Sequence, residues 1–98
     1  MTYAKRIDAN QPLIVEAFRK HGCTVAHTHM VGKGFPDLVI RYRDHVALVE
    51  VKDGAKPPSR RKLTKPEELF HDAWGGVVQI VQSVDDVSAL VNAWRSGL

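Results

Sequence analysis

The chain has 98 residues, 44% hydrophobic and 26% charged, with a net charge of +3. That is the size and composition of one folded domain, and it excludes a disordered chain. No apolar run reaches the ~18 residues of a membrane span, and a single cysteine, Cys23, excludes an intramolecular disulfide and any multi-cysteine zinc module.

In chain order, the opening MTYAKRIDANQP has no apolar leader segment. Together with the lone cysteine this leads us to expect a cytoplasmic, intracellular protein. Asn10 and Pro12 are N-cap and first-turn residues, so a helix is predicted from about Gln11 to Lys20, stopping near Gly22. Its core face carries Ile14 and Phe18. At ~100° per residue, Gln11 shares that face, whereas Glu16 points to solvent. TVAHTHM, residues 24–30, reads as a strand. His27 and His29 lie on one face of it, as ordinary strand residues rather than a metal pair, since no third ligand is in sight. The connection VGKGFP is too short for a nucleotide phosphate loop, although Lys33 can reach a phosphate.

DLVIRY and VALVEVK are β-branched runs joined by a short polar turn, which predicts a hairpin. If Arg43 and Asp44 form a two-residue loop, Tyr42 faces His45 and Asp37 lies opposite Glu50. Lys52, two residues on, shares that face with Val39, Val46 and Leu48. Leu38, Ile40, Ala47, Val49 and Val51 occupy the other, so both faces are expected to be covered. Beyond the hairpin, Thr64-Lys65-Pro66-Glu67 has the form of a capping box opening a helix through Trp74, which ends at Gly75-Gly76. VVQIV is expected to be a central strand. Ser83 caps a last helix with Val87, Leu90, Val91 and Trp94 on one face; Trp74 and Trp94 are both expected in the core. The predicted order is α-β-β-β-α-β-α around one four-stranded sheet in a single domain, residues 1–98.

Charge is unevenly placed. Residues 1–65 carry 13 basic and 6 acidic side chains, residues 66–98 carry 1 and 5, and residues 52–65 alone hold six cations and one acid. Such a cluster is the footprint of a polyanion or simply a solvated loop. Lys33, Lys56, Arg60, Arg61, Lys62 and Lys65 are the candidates for contact with a nucleic-acid backbone, which positions a protein without reading sequence.

Two carboxylates at the end of a covered hairpin repel each other, and an all-oxygen site of this kind suits Mg²⁺ or Mn²⁺ rather than zinc. A neighbouring ammonium can place a water or stabilise an attacked phosphate. The structural alternative has Asp37 capping a loop and Glu50 pairing with Lys52. Pro36-Asp37 followed by Glu50-Val51-Lys52 resembles the PD-(D/E)XK nuclease signature. The wider string GFPDLVI, ALVEVKDG, KLTKPEELFHDAW and VVQIVQSVDD is similar to the VRR-NUC branch of that superfamily, in its small stand-alone form from phages and bacteria. The likeness runs from about Asp8 to Leu90. It implies a restriction-endonuclease-like αβββαβα fold and Mg²⁺- or Mn²⁺-dependent hydrolysis of DNA. It further implies a homodimer acting on branched DNA such as four-way (Holliday) junctions, in a DNA-repair setting. Position by position, it makes Asp37, Glu50 and the Val51 carbonyl metal ligands and Lys52 the residue that orients the water. Relatives often place an acid on the first helix; Gln11 stands there, as a neutral member of the site or as a helix-start residue only. They also commonly have Gln near Glu67. The rival reading is a non-catalytic DNA-binding or dimerisation module on the same fold. An RNA-binding or regulatory protein has only net charge in its favour.

Overall fold

The computed structural model describes residues 7–97; the reading of the first residues as free of a leader rests partly on residues outside that range. Helix α1 (Gln11–Lys20) is followed by strands β1 (Thr24–His27), β2 (Leu38–Tyr42) and β3 (His45–Val51), helix α2 (Lys65–Trp74), strand β4 (Val78–Val81) and helix α3 (Val84–Arg95). The order is the one the residue pattern predicts. The strands form one mixed sheet, β1-β2-β3-β4, antiparallel except for the parallel β3–β4 pair.

The ends of the elements follow from local chemistry. Pro12 in the first turn of α1 costs no hydrogen bond. Thr64 and Glu67 make a reciprocal capping box at α2, and Gly75 ends that helix in the left-handed conformation. Ser83 Oγ accepts from the Asp86 amide at the start of α3. The hairpin closes as predicted, with Tyr42 opposite His45 and Leu38 opposite Val49.

One face of the sheet is a dry core. Leu38, Ile40, Val49 and Val51 pack with Ile14 and Phe18 of α1 and Val87 and Val91 of α3, all fully buried. A fully buried side chain of this kind contributes ~1.5–3 kcal/mol. The other face is only half covered: Val46 is 68% and Ile80 43% exposed. The expectation of two covered faces fails there, because α2 buries only Glu67 and does not blanket the sheet.

Four further expectations are corrected. The first strand ends at His27, and His29–Val31 form a 3-10 turn, so the two histidines do not share one strand face; their rings meet edge to face at 6.2 Å. Strand β4 lies at the edge of the sheet, not in its centre, since nothing pairs beyond it among the described residues. Trp94 is buried, but Trp74 is 51% exposed and stacks on Phe70 of its own helix. Asn10 makes no side-chain cap; it is drawn into a tertiary contact described below.

Gly34 fixes how α2 approaches the hairpin. Its φ is +80°, and a Cβ there would overlap the Pro66 carbonyl. Left-handed backbone costs a non-glycine residue ~1–2 kcal/mol even without a clash. Gly34→Ala is therefore expected to destabilise the fold by more than that strain alone, as a lowered midpoint in urea, whereas Gly22→Ala, with open space around its Cβ, shows the strain alone.

Candidate active site

The hairpin brings its polar end residues together. Extending the register one step past Leu38 and Val49 sets Asp37 opposite Glu50. The Asp37 carboxylate reaches across the strands, and its Oδ2 accepts from the Val51 amide at 2.8 Å. That contact fixes the carboxylate on the backbone between Glu50 and Lys52. Asp37, Glu50 and Lys52 are 2%, 0% and 8% exposed. Burial of three ionisable groups at one strand end is costly unless they are paired or bind an ion.

Lys52 does not stand alone. Its ammonium donates to Glu67 Oε1 at 2.7 Å in a buried ion pair. The same oxygen accepts from the Thr64 amide at 2.7 Å. The Glu67 side chain thus does more than the capping box requires: it caps α2 and also grips Lys52. The stem of Lys52 is held at its other end too, because Asn10 Nδ2 donates to the Lys52 carbonyl at 3.0 Å and to the Gln82 carbonyl at 3.2 Å. These donations orient the amide toward β3 and the segment after β4, and its Oδ1 accepts from no amide of α1.

Asp8 is the residue that helix periodicity misses. It sits just before α1, and its carbonyl accepts from the Gln11 amide. Its carboxylate pairs with Lys56 at 3.7 Å. Burial raises its pKa above the ordinary carboxylate value of 3.8, against the pull of Lys56 and Lys52 and with the push of Asp37 and Asp53. Those interactions put an acid beside the Lys52 and Asp37 cluster. Its mark in the sequence is its place two residues before the cap, outside the periodic turns of α1. Because the folded state favours the protonated form, Asp8 lowers stability progressively as pH rises through and above its carboxylate range. Asp8→Asn is expected to melt higher than wild type near pH 7 and to converge with it near ~pH 3, below the unfolded carboxylate range. Thermal melts across that window check the sign.

Gln11 is 3% exposed, as its helix face predicts, and its amide oxygen has no hydrogen-bond partner among the described residues. It follows Asn10, so the start of α1 is docked at the edge of the site. It also lines a cavity of about 550 Å³ with Val15, Arg19 and His27, on a flank that does not include Asp37, Glu50 or Lys52. Glu16 points outward and pairs with Lys20.

The donors at the strand end fit a hard divalent cation in kind: two buried carboxylates and the backbone carbonyl of Val51. Among the described residues no group of three or more His, Cys, Asp or Glu side chains is arranged to hold an ion. Mg²⁺ does not require one, since it commonly binds through one or two carboxylates and completes its shell with water and phosphate oxygens.

The six candidate backbone-contacting cations divide into two groups. Lys33, Arg60, Lys62 and Lys65 are exposed, Lys65 pairing loosely with Glu68 at 3.8 Å. Lys56 pairs with Asp8, and Arg61 is structural in part: its guanidinium donates to the Lys56 carbonyl and to Gln82 Oε1, both at 2.7 Å, and so folds the loop. Cys23 is buried, and burial pushes its thiol pKa up, away from nucleophile chemistry. No described helix is long and apolar enough to cross a membrane.

The arrangement is that of a small α/β domain with a buried, oxygen-rich cluster and an ammonium at one strand end. Comparison with family models, curated proteins and solved structures finds no match to this chain.

Proposed function

We propose that the protein is a metal-dependent endonuclease that hydrolyses DNA phosphodiester bonds, built on a restriction-endonuclease-like fold of the VRR-NUC kind. The observation that carries the reading is the Asp37 carboxylate tied to the Val51 amide between Glu50 and Lys52. Asp37 and Glu50, with the Val51 carbonyl, would hold Mg²⁺ or Mn²⁺. When bound, such an ion supplies Lewis acidity at the phosphate and lowers the pKa of water.

The chain's own residues do the rest. Asp37 and Glu50 hold carboxylate oxygens at fixed positions on two strands, where they would bind the ion that neutralises the reacting phosphate. Lys52 orients the attacking water and stabilises the charge that grows on the phosphate as the new P–O bond forms and the old one breaks. Burial of the cluster strengthens each of these interactions. The exposed cations of residues 56–65, with Lys33, hold the DNA backbone. With no helix-turn-helix or zinc finger among the described residues, recognition rests on shape, and branched DNA such as a four-way junction is the proposed substrate. One site cuts one strand, so paired cuts require two sites and hence a homodimer.

The test compares a four-way junction, a flap and a linear duplex with Mg²⁺, Mn²⁺ or EDTA. Cutting with either metal, absent in EDTA and lost in Glu50→Gln, is the expected result. Salt-sensitive binding without cutting under any metal would instead identify a DNA-binding module on the same fold. Light scattering of the complex, with the mass of the DNA subtracted, should give twice the 10.9 kDa chain mass.

A further inference from the structure

We propose that Glu67 is the positioning residue for the Lys52 ammonium, and that it makes the N-terminus of α2 part of the cutting machinery. This rests on the nuclease reading and deepens it.

The capping box alone does not call for a carboxylate. Glutamine completes that motif as well as glutamate does, because only an acceptor oxygen is needed for the N-cap amide. A charge buried to 1% exposure is an expensive way to supply one. What the charge adds is the 2.7 Å ion pair to Lys52. The Glu67 oxygen that takes the ammonium is itself held by the Thr64 amide, and the Glu67 amide donates to Thr64 Oγ1 at 3.3 Å. The carboxylate is therefore locked to the helix end and cannot follow a wandering ammonium.

The lock has neighbours on both sides. Gly34, three residues before Asp37, packs its backbone against Pro66 and the Glu67 amide. Asn10 holds the Lys52 carbonyl. Glu67 thus stands between the loop that delivers Asp37 and the strand end that delivers Lys52. The cationic loop runs directly into Thr64, so DNA held by Arg60 and Lys62 bears on the same helix end. Glu67 acts through Lys52 and need not touch substrate.

The test is a pair of variants compared per folded molecule. Glu67→Gln retains an acceptor for the Thr64 amide and removes the charge. It leaves the buried Lys52 ammonium without its counter-charge and should melt lower than wild type, yet, assayed where it is folded, bind Mn²⁺ equally by electron paramagnetic resonance. Its kcat should fall ~10–100-fold with KM within a factor of ~3, the scale of a displaced catalytic group. Gly22→Ala is the control: it strains the left-handed turn after α1 and meets nothing within 4 Å. It should melt lower yet cut at the wild-type rate per folded molecule. Equal cutting by Glu67→Gln and wild type overturns the positioning role while leaving the nuclease reading intact. So does activity in both variants that merely tracks their melting temperature. A wild type that cuts no DNA with either metal overturns the nuclease reading, and the positioning role falls with it.

Discussion

Lys52→Ala is expected to lose both cutting and much of the fold's stability, and the two losses can be separated. The ammonium is one half of a buried ion pair whose other half, Glu67, is 1% exposed. Removing one partner of such a pair leaves a buried charge uncompensated and typically costs ~3–5 kcal/mol. A domain of this size has only ~5–15 kcal/mol in total. A dead Lys52→Ala variant would therefore be ambiguous by itself. The double variant Lys52→Met with Glu67→Gln removes both charges, fills the space of the lysine stem and keeps an acceptor for the Thr64 amide. It should recover most of the stability, read as the midpoint of urea unfolding, and none of the activity. The deficit in kcat should be ~10²–10³-fold, the usual effect of losing one group that stabilises charge in the transition state. Recovery of cutting in the double variant would remove Lys52 from the mechanism.

The second large effect concerns the two hairpin acids, where stability and activity should part. Asp37→Asn keeps an oxygen for the Val51 amide and loses the charge. It should fold normally, cut at least ~10²-fold more slowly and bind Mn²⁺ weakly in a calorimetric titration. Asp37→Ala also leaves the buried Val51 amide without its acceptor, which adds a stability loss of ~1–3 kcal/mol. Glu50→Gln is isosteric and should resemble Asp37→Asn. If Asp37→Asn cuts normally while Asp37→Ala fails only in proportion to its unfolding, then Asp37 is a strand tie and nothing more.

These contrasts explain which parts of the molecule could be read from residues alone. The register of Asp37 against Glu50 was legible because strand side chains alternate with period two and a two-residue turn leaves one way to count. The helix ends were legible where the signal is local, as in Thr64 with Glu67, Ser83 and Gly75. Other features depend on contacts between residues far apart in the chain. Lys52 and Glu67 are 15 residues apart and meet only when α2 docks. Asn10 reads as a cap, yet its amide bonds Lys52 and Gln82 across 42 and 72 residues. Asp8 lies before α1, where no helical periodicity marks it. β4 is apolar enough for a sheet centre and sits at the edge, and Trp74 is exposed because α2 turns Glu67 inward and Phe70 toward Phe35, leaving Trp74 stacked on the outer side of Phe70.

Diffraction from crystals soaked in Mn²⁺, recorded where manganese scatters anomalously, tests the nuclease proposal at its root. A single strong peak bracketed by the Asp37 and Glu50 carboxylates, vanishing in Asp37→Asn crystals, is the expected result. Saturating manganese that leaves that spot empty, or settles only on the His27 and His29 turn or the outer acids, would contradict it.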